Sequence, residues 1–344
     1  VNGSLPVRLN GLGLALPPHV LSQDAVLDRA RALLSPRFPA FDRLSTAFLN
    51  AGIDKRHSVV PLDWFAEGHG WASRSEAYLE GATALFEGAA NAALADAGLE
   101  AAQIDAVVTV SSTGVVTPTL EARVALGLRA DVLRVPVFGL GCAGGVSGLA
   151  IARDLAAAVP GRRVLLVAVE TCTLLFRMDR LRKADIIATA LFGDGAAAAI
   201  VSTAGDGPVL GQGVQHRWPD TLGVMGWAVE DDGLGVIFDR AIPDFAAEHL
   251  RAAVDAMLGG TGGVDRFVCH PGGAKVITAL EDALDLSPGT LEEERAVLAT
   301  AGNMSAPTVL FVLDRVLRAG RTGRMMLAAL GPGFTLSLLP VEAA

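Results

Sequence analysis

Two segments in opposite halves of the chain follow one pattern. Ile104-Asp-Ala-Val-Val-Thr-Val110 and Val264-Asp-Arg-Phe-Val-Cys-His270 each place an aspartate at the mouth of an apolar run, after a helical segment that stops at glycine. A single helix-turn-strand unit leaves its strand half uncovered, whereas a repeated one packs against its copy. The repeat therefore predicts an internally duplicated α/β fold with two packed sheets. At 344 residues the chain suits two such halves. The division falls after Gly205, giving residues 1–205 and 206–344.

Within this frame Ser73 to Ala97 reads as the clearest helix, with a Ser73/Glu76 capping box and Gly98 as its stop. Strands are expected at 104–110, 163–170, 264–269, 324–330 and 335–339, and helices at 179–191, 243–258 and 307–317. Half of the residues are hydrophobic, which raises the question of a membrane span. The apolar runs are too short: Val164 to Val169 meets Glu170, and Ala196 to Val201 ends in Ser-Thr-Ala-Gly, far below the roughly 18 residues a span needs. A net charge of −9 without a basic run argues against a nucleic-acid surface. Three cysteines without Cys-x-x-Cys spacing support neither a disulfide framework nor a zinc site. The first residues carry no basic segment followed by an apolar one, so no secretory signal is expected, and a reducing cytoplasmic setting fits.

The most informative local feature is Val137-Phe-Gly-Leu-Gly-Cys-Ala-Gly-Gly145, an apolar strand that breaks at glycines and restarts as a helix through Val146, Leu149 and Ala150. Cys142 then sits at a helix N-terminus, where unpaired N–H groups and the positive end of the helix dipole favour a thiolate. His270 opens the turn His-Pro-Gly-Gly273 directly after a strand. Asn303 lies in Gly302-Asn-Met-Ser-Ala-Pro307, just before a helix that Pro307 would start and Ser305 would cap. Taken singly, each has a plain structural explanation: a buried thiol, a core histidine, a turn asparagine. Together, thiolate, imidazolium and amide donor form a coherent acyl-transfer set. The histidine would hold the thiolate as an ion pair, then join the asparagine in donating to an oxyanion or enolate.

With those three motifs, Phe192-Gly-Asp-Gly-Ala196 and Gly331-Pro-Gly-Phe334, the chain resembles the type III polyketide synthases, the chalcone synthase-like branch of the thiolase superfamily. The resemblance implies a thiolase-like duplicated fold in five αβαβα layers, a homodimer, no bound cofactor, and acyl-CoA and malonyl-CoA as substrates. Cys142 would accept the starter acyl group, and His270 and Asn303 would stabilise the malonyl-derived enolate. Repeated extension and ring closure would release a pyrone or phenol. By the same resemblance Phe192 is a gatekeeper, and Glu170, Cys172, Trp227, Val236, Gly333 and Phe334 line the cavity. Thr117 falls where the family reaches across the dimer. Of three basic positions that hold CoA phosphates in the family, Arg43 is retained, while Thr46 and Asn50 replace the others and Lys55 and Arg56 stand nearby as substitutes. Met225-Gly-Trp and the Asp231-Asp232 turn are similar to bacterial members with fatty acyl starters.

Two other readings stay open. An initiating ketoacyl-acyl-carrier-protein synthase shares the Cys, His and Asn set but carries His-Gln-Ala-Asn where this chain has His-Pro-Gly-Gly. A non-catalytic acyl-binding relative is the third. Glu292, Glu293 and Glu294 read as the exposed face of a helix, and His57, His216 and His249 as surface or structural residues.

Overall fold

The computed structural model describes residues 5–177, 182–239, 241–258 and 263–344. The N-terminal half contains strands β1 (Val7–Ala15), β2 (His19–Ser22), β3 (Lys55–Ser58), β4 (Ala106–Val110), β5 (Leu133–Val137), β6 (Val164–Thr171) and β7 (Asp194–Ser202). Its helices are α1 (Gln23–Leu34), α2 (Phe41–Leu49), α3 (Trp71–Ala97), α4 (Gly144–Ala158) and α5 (Lys183–Leu191). The C-terminal half adds β8 (Val209–Leu210), β9 (Val214–Arg217), β10 (Met225–Glu230), β11 (Gly233–Phe238), β12 (Arg266–Cys269), β13 (Gly323–Gly331) and β14 (Thr335–Ala343). Its helices are α6 (Ile242–Leu258), α7 (Ala274–Ala283), α8 (Glu292–Ala301) and α9 (Thr308–Arg318).

The duplication is visible in the pairing. In the first half β4 runs parallel to β6, β6 antiparallel to β7, and β7 antiparallel to β1. In the second, β12 runs parallel to β13, β13 antiparallel to β14, and β14 antiparallel to β9. The short β8 bonds to both β1 and β14, so the two expected sheets join at one edge into a continuous ten-stranded ladder.

Side-chain alternation then builds the layers. Val108 and Val110 on β4, Leu166 on β6, Ala199 on β7 and Leu327 on β13 face a shared core with Val146 and Leu149 of α4 and Val309 and Val316 of α9. Their neighbours Val107, Leu165 and Ala198 face an outer layer built on α3 and α1, while Phe267, Met326 and Leu338 face α6 and α7. The order is helix, sheet, helix, sheet, helix: the five layers the resemblance implies. The strands are apolar on both faces because both faces are covered. No described helix is long and apolar enough to cross a membrane.

Some expectations shift. Helix α3 begins at Trp71, two residues before the capping-box serine, whose hydroxyl donates instead to the Gly70 carbonyl; Gly98 ends it in a left-handed conformation, as expected. The helix expected from 179 is described from Lys183 onward, its first residues lying outside the described residues. The glutamate run is not an exposed face: Glu293 is 9% and Glu294 0% exposed.

Candidate active site

Cys142 lies in a 3-10 turn, Gly141–Ala143, that feeds directly into α4. Gly141 adopts φ +48°, and a Cβ there would stand 2.7 Å from Pro332, so glycine lets the Gly331-Pro332 loop close over the thiol. A Cβ on Gly145 would collide with the carbonyl oxygen of Ala306; glycine there brings the first turn of α4 against the loop that carries Asn303. His270 follows β12, its N–H bonded to the Ala328 carbonyl at 2.8 Å. Asn303 leaves α8 through Gly302 and forms a bridge with Phe192: its N–H donates to Leu191 O at 2.9 Å, and its carbonyl accepts from Gly193 N at 3.0 Å.

These three elements deliver Cys142, His270 and Asn303 to one pocket, closed by Gly272, Met225 and Phe238. The Asn303 side chain is fixed at both ends. Its Oδ1 accepts from Ser305 N at 2.8 Å and its Nδ2 donates to Gly272 O at 3.2 Å. A primary amide has a second N–H, and this one is directed at the Cys142 sulfur. Both ring nitrogens of His270 are buried without a hydrogen-bond partner among the described residues, as befits a group whose partner is a ligand.

Burial works against the expected ion pair. Burial pushes the Cys142 thiol up to about 12, against the pull of hydrogen bonds from Ser305 and Asn303. Burial likewise pushes His270 down to about 3. A dry pocket disfavours both charged forms.

The cavity residues divide. Phe192, Cys172, Ala188 and Val236 cluster together, with Trp227 edge-on to Phe192 at 5.8 Å and paired to Val236 across the β10–β11 hairpin. Phe192, Cys172 and Val236 form a wall of a neighbouring apolar pocket whose other sides include Leu21, Val26, Leu33, Phe65 and Leu175. Glu170 lines neither pocket. It is fully buried, accepts from Ser112 N at 2.9 Å and Thr113 Oγ1 at 2.7 Å, and is pushed up to about 8 by burial. Thr117 is exposed, in a surface recess with Pro118 and Pro136. Gly333 and Phe334 also depart from expectation. Phe334 packs against Phe245 and Trp218, and Gly333 accepts from the Thr221 hydroxyl at 3.0 Å; both brace the loop from behind because the motif turns its aromatic ring into the core. Arg43 and Thr46 are exposed on α2, and Asn50 is exposed just beyond its end.

Arg56 cannot contact a phosphate from where it lies. It is 2% exposed and donates to the carbonyls of Ala190 and Phe192 at 2.9 and 3.1 Å, and to Gln23, with burial lowering it to about 9. It caps the end of α5 and so holds Phe192. Ser305, expected only as a cap, sits at φ +61° with its side chain toward the Cys142 sulfur. Neither role has a local sequence signal, since both depend on partners far along the chain. No group of three or more His, Cys, Asp or Glu suited to a metal ion occurs among the described residues.

Comparison with known proteins agrees with this geometry. Residues 68–205 match the N-terminal domain of chalcone and stilbene synthases, and residues 209–342 match the C-terminal domain. The 1,3,6,8-tetrahydroxynaphthalene synthase of Streptomyces peucetius subsp. caesius is 38% identical over 93% of this chain and 89% of its own length. The phloroglucinol synthase of Pseudomonas fluorescens is 30% identical over 94% and 95%. The crystal structure of 1,3,6,8-tetrahydroxynaphthalene synthase from Streptomyces coelicolor A3(2), a bacterial type III polyketide synthase, superposes with TM-score 0.93 at 28% identity, covering 98% of this chain and 99% of that one.

Proposed function

The chain belongs to the chalcone and stilbene synthase family of type III polyketide synthases, condensing acyltransferases, and on that premise we propose the course of its reaction. Neutral His270 takes the thiol proton as Cys142 attacks the carbonyl carbon of an acyl-CoA, and CoA leaves with that proton as its thiol. Malonyl-CoA then loses carbon dioxide. The electron pair of the broken C–C bond becomes an enolate, whose oxygen is held by donors from His270 and the Asn303 N–H that faces the Cys142 sulfur. The enolate carbon attacks the Cys142 thioester, the tetrahedral oxyanion collapses, and the Cys142 sulfur is released for the next round. The meeting of the three side chains in one pocket, with both ring nitrogens of His270 unpartnered among the described residues, supports this course most directly. CoA thioesters are the substrates; the thioester and the β-carboxylate supply the activation, and no resident cofactor takes part. Arg43, with Thr46 on α2 and Asn50 just beyond its end, receives the CoA phosphates.

The starter is a fatty acyl group whose chain lies in the apolar pocket behind Phe192, Cys172 and Val236, and ring closure releases a pyrone or phenol. A second reading is favoured by the relatives named for 1,3,6,8-tetrahydroxynaphthalene and phloroglucinol, products without an alkyl chain: here malonyl units alone would build the ring. A second copy of the chain covers the face formed by the exposed Val115 and Phe138, placing Thr117 at the partner's cavity. Incubation with malonyl-CoA alone and with short, long and aromatic acyl-CoA starters, read by mass spectrometry, decides. Products heavier than a long-chain starter by two or more ketide units are expected. Alkyl-free products from malonyl-CoA alone favour the second reading, and a single extension that needs a carrier protein overturns both.

A further inference from the structure

Glu294 belongs to the run that reads as an exposed helix face, yet it is completely buried. Its two neighbours have ordinary explanations: Glu292 pairs with Arg321 at 3.2 Å and Glu293 with Arg315 at 2.8 Å. Glu294 instead turns inward. Its Oε1 accepts the N–H of Cys269 at 2.9 Å, and its Oε2 has no hydrogen-bond partner among the described residues.

Cys269 is the last residue of β12, and among the described residues β12 lies at the edge of the ladder, paired on one side only, with β13. An edge strand presents N–H groups with no ladder partner, and one left buried and unpaired is costly. In the first half the corresponding strand, β4, has neighbours on both sides, β5 and β6. In the second half a carboxylate does for Cys269 what a strand would have done. Its placement adds a consequence. Glu294 sits near the start of α8, whose far end runs through Gly302 into Asn303, while the strand end it grips runs directly into His270.

We propose that Glu294 is a positioning residue: one buried carboxylate ties the strand end that carries His270 to the helix that carries Asn303, and so sets the separation of the two donors that face Cys142. This rests on the reading of His270 and Asn303 as enolate donors. Arg266 and Glu293 face the carboxylate, the first favouring its ionised form and the second opposing it, while burial dominates and raises it to about 7. The group needed is therefore an acceptor of the right reach, charged or not.

Reach and charge are separable by substitution. Glu294→Asp keeps the charge but withdraws the acceptor by one methylene; Glu294→Gln keeps the reach and a carbonyl acceptor but removes the charge. The measurement is steady-state decarboxylation of malonyl-CoA, alongside the rate at which iodoacetamide labels Cys142. For Glu294→Asp we expect kcat to fall about tenfold or more, with KM and Cys142 labelling within about threefold of wild type, and for Glu294→Gln to restore kcat to within about threefold. Glu294→Asp at wild-type kcat, or Glu294→Gln as impaired as Glu294→Asp, overturns the proposal. If the wild-type protein releases no carbon dioxide from malonyl-CoA, the reading of His270 and Asn303 fails first, which is a distinct outcome.

Discussion

Asp105 and Asp265 hold the same place in the two halves. Each accepts, at 2.8 Å, the N–H of an arginine beside the next parallel strand, Arg163 and Arg324, and each returns a backbone bond to that arginine's carbonyl, at 2.9 and 2.8 Å. Beyond that shared start the halves diverge. The strand after Asp105 is enclosed between two others and runs out at Val110 into Ser111; the strand after Asp265 is an edge among the described residues and runs out at Cys269 into His270. The helices show the same split. Helices α4 and α9 pack together in the central layer, and the turn before one carries Cys142 while the turn before the other carries Asn303 and Ser305. Duplication supplied two equivalent helix entrances facing each other; the first became the seat of the nucleophile and the second the seat of the donors.

This division can be broken from either side. Cys142→Ala should have the largest effect, abolishing acyl transfer from acyl-CoA to the protein as read by intact-protein mass spectrometry. His270→Ala and Asn303→Ala should each lower malonyl-CoA decarboxylation, by about 10²–10³-fold for loss of an oxyanion donor. The contact between the halves is sharpened by Gly145→Ala, which drives a methyl into the Ala306 carbonyl. It should destabilise by about 1–3 kcal/mol in denaturant unfolding, and labelling of Cys142 should change because the two entrances are forced apart. An effect of comparable size concerns pH. His270 is depressed to about 3 from an ordinary value near 6.5, so the unfolded chain binds its proton first as pH falls. Stability from the neutral ring is full above about 6.5 and is lost progressively towards 3. Relative to His270→Gln, the wild type should lose on the order of 2–3 kcal/mol between pH 7 and pH 4. Equal pH profiles would mean that the ring is not held neutral.

The elements that sequence disclosed are those whose cause is local. The Cys142 turn, the Gly98 stop and the strands buried on both faces each declare themselves within a few residues, through glycine placement or apolar runs. Five ordered motifs made the family legible as well. What stayed hidden depends on distant partners. A buried Arg56 is indistinguishable in sequence from a phosphate-binding one, because its acceptors at 190 and 192 arrive only with the fold. Glu293 and Glu294 look like solvated charges, since an edge strand's need for an acceptor is invisible before strand order is known. Burial is also invisible in the sequence: a helix N-terminus lowers a thiol's pKa, while enclosure of Cys142 pushes it up.

The most direct test of the division of labour is to treat Asn303→Ala separately with acyl-CoA and with malonyl-CoA, following acyl mass on Cys142 in the first case and carbon dioxide release in the second. Continued loading of Cys142 with decarboxylation reduced about a hundredfold is the expected result. Full decarboxylation by this variant would contradict the assignment of the donors to the second half.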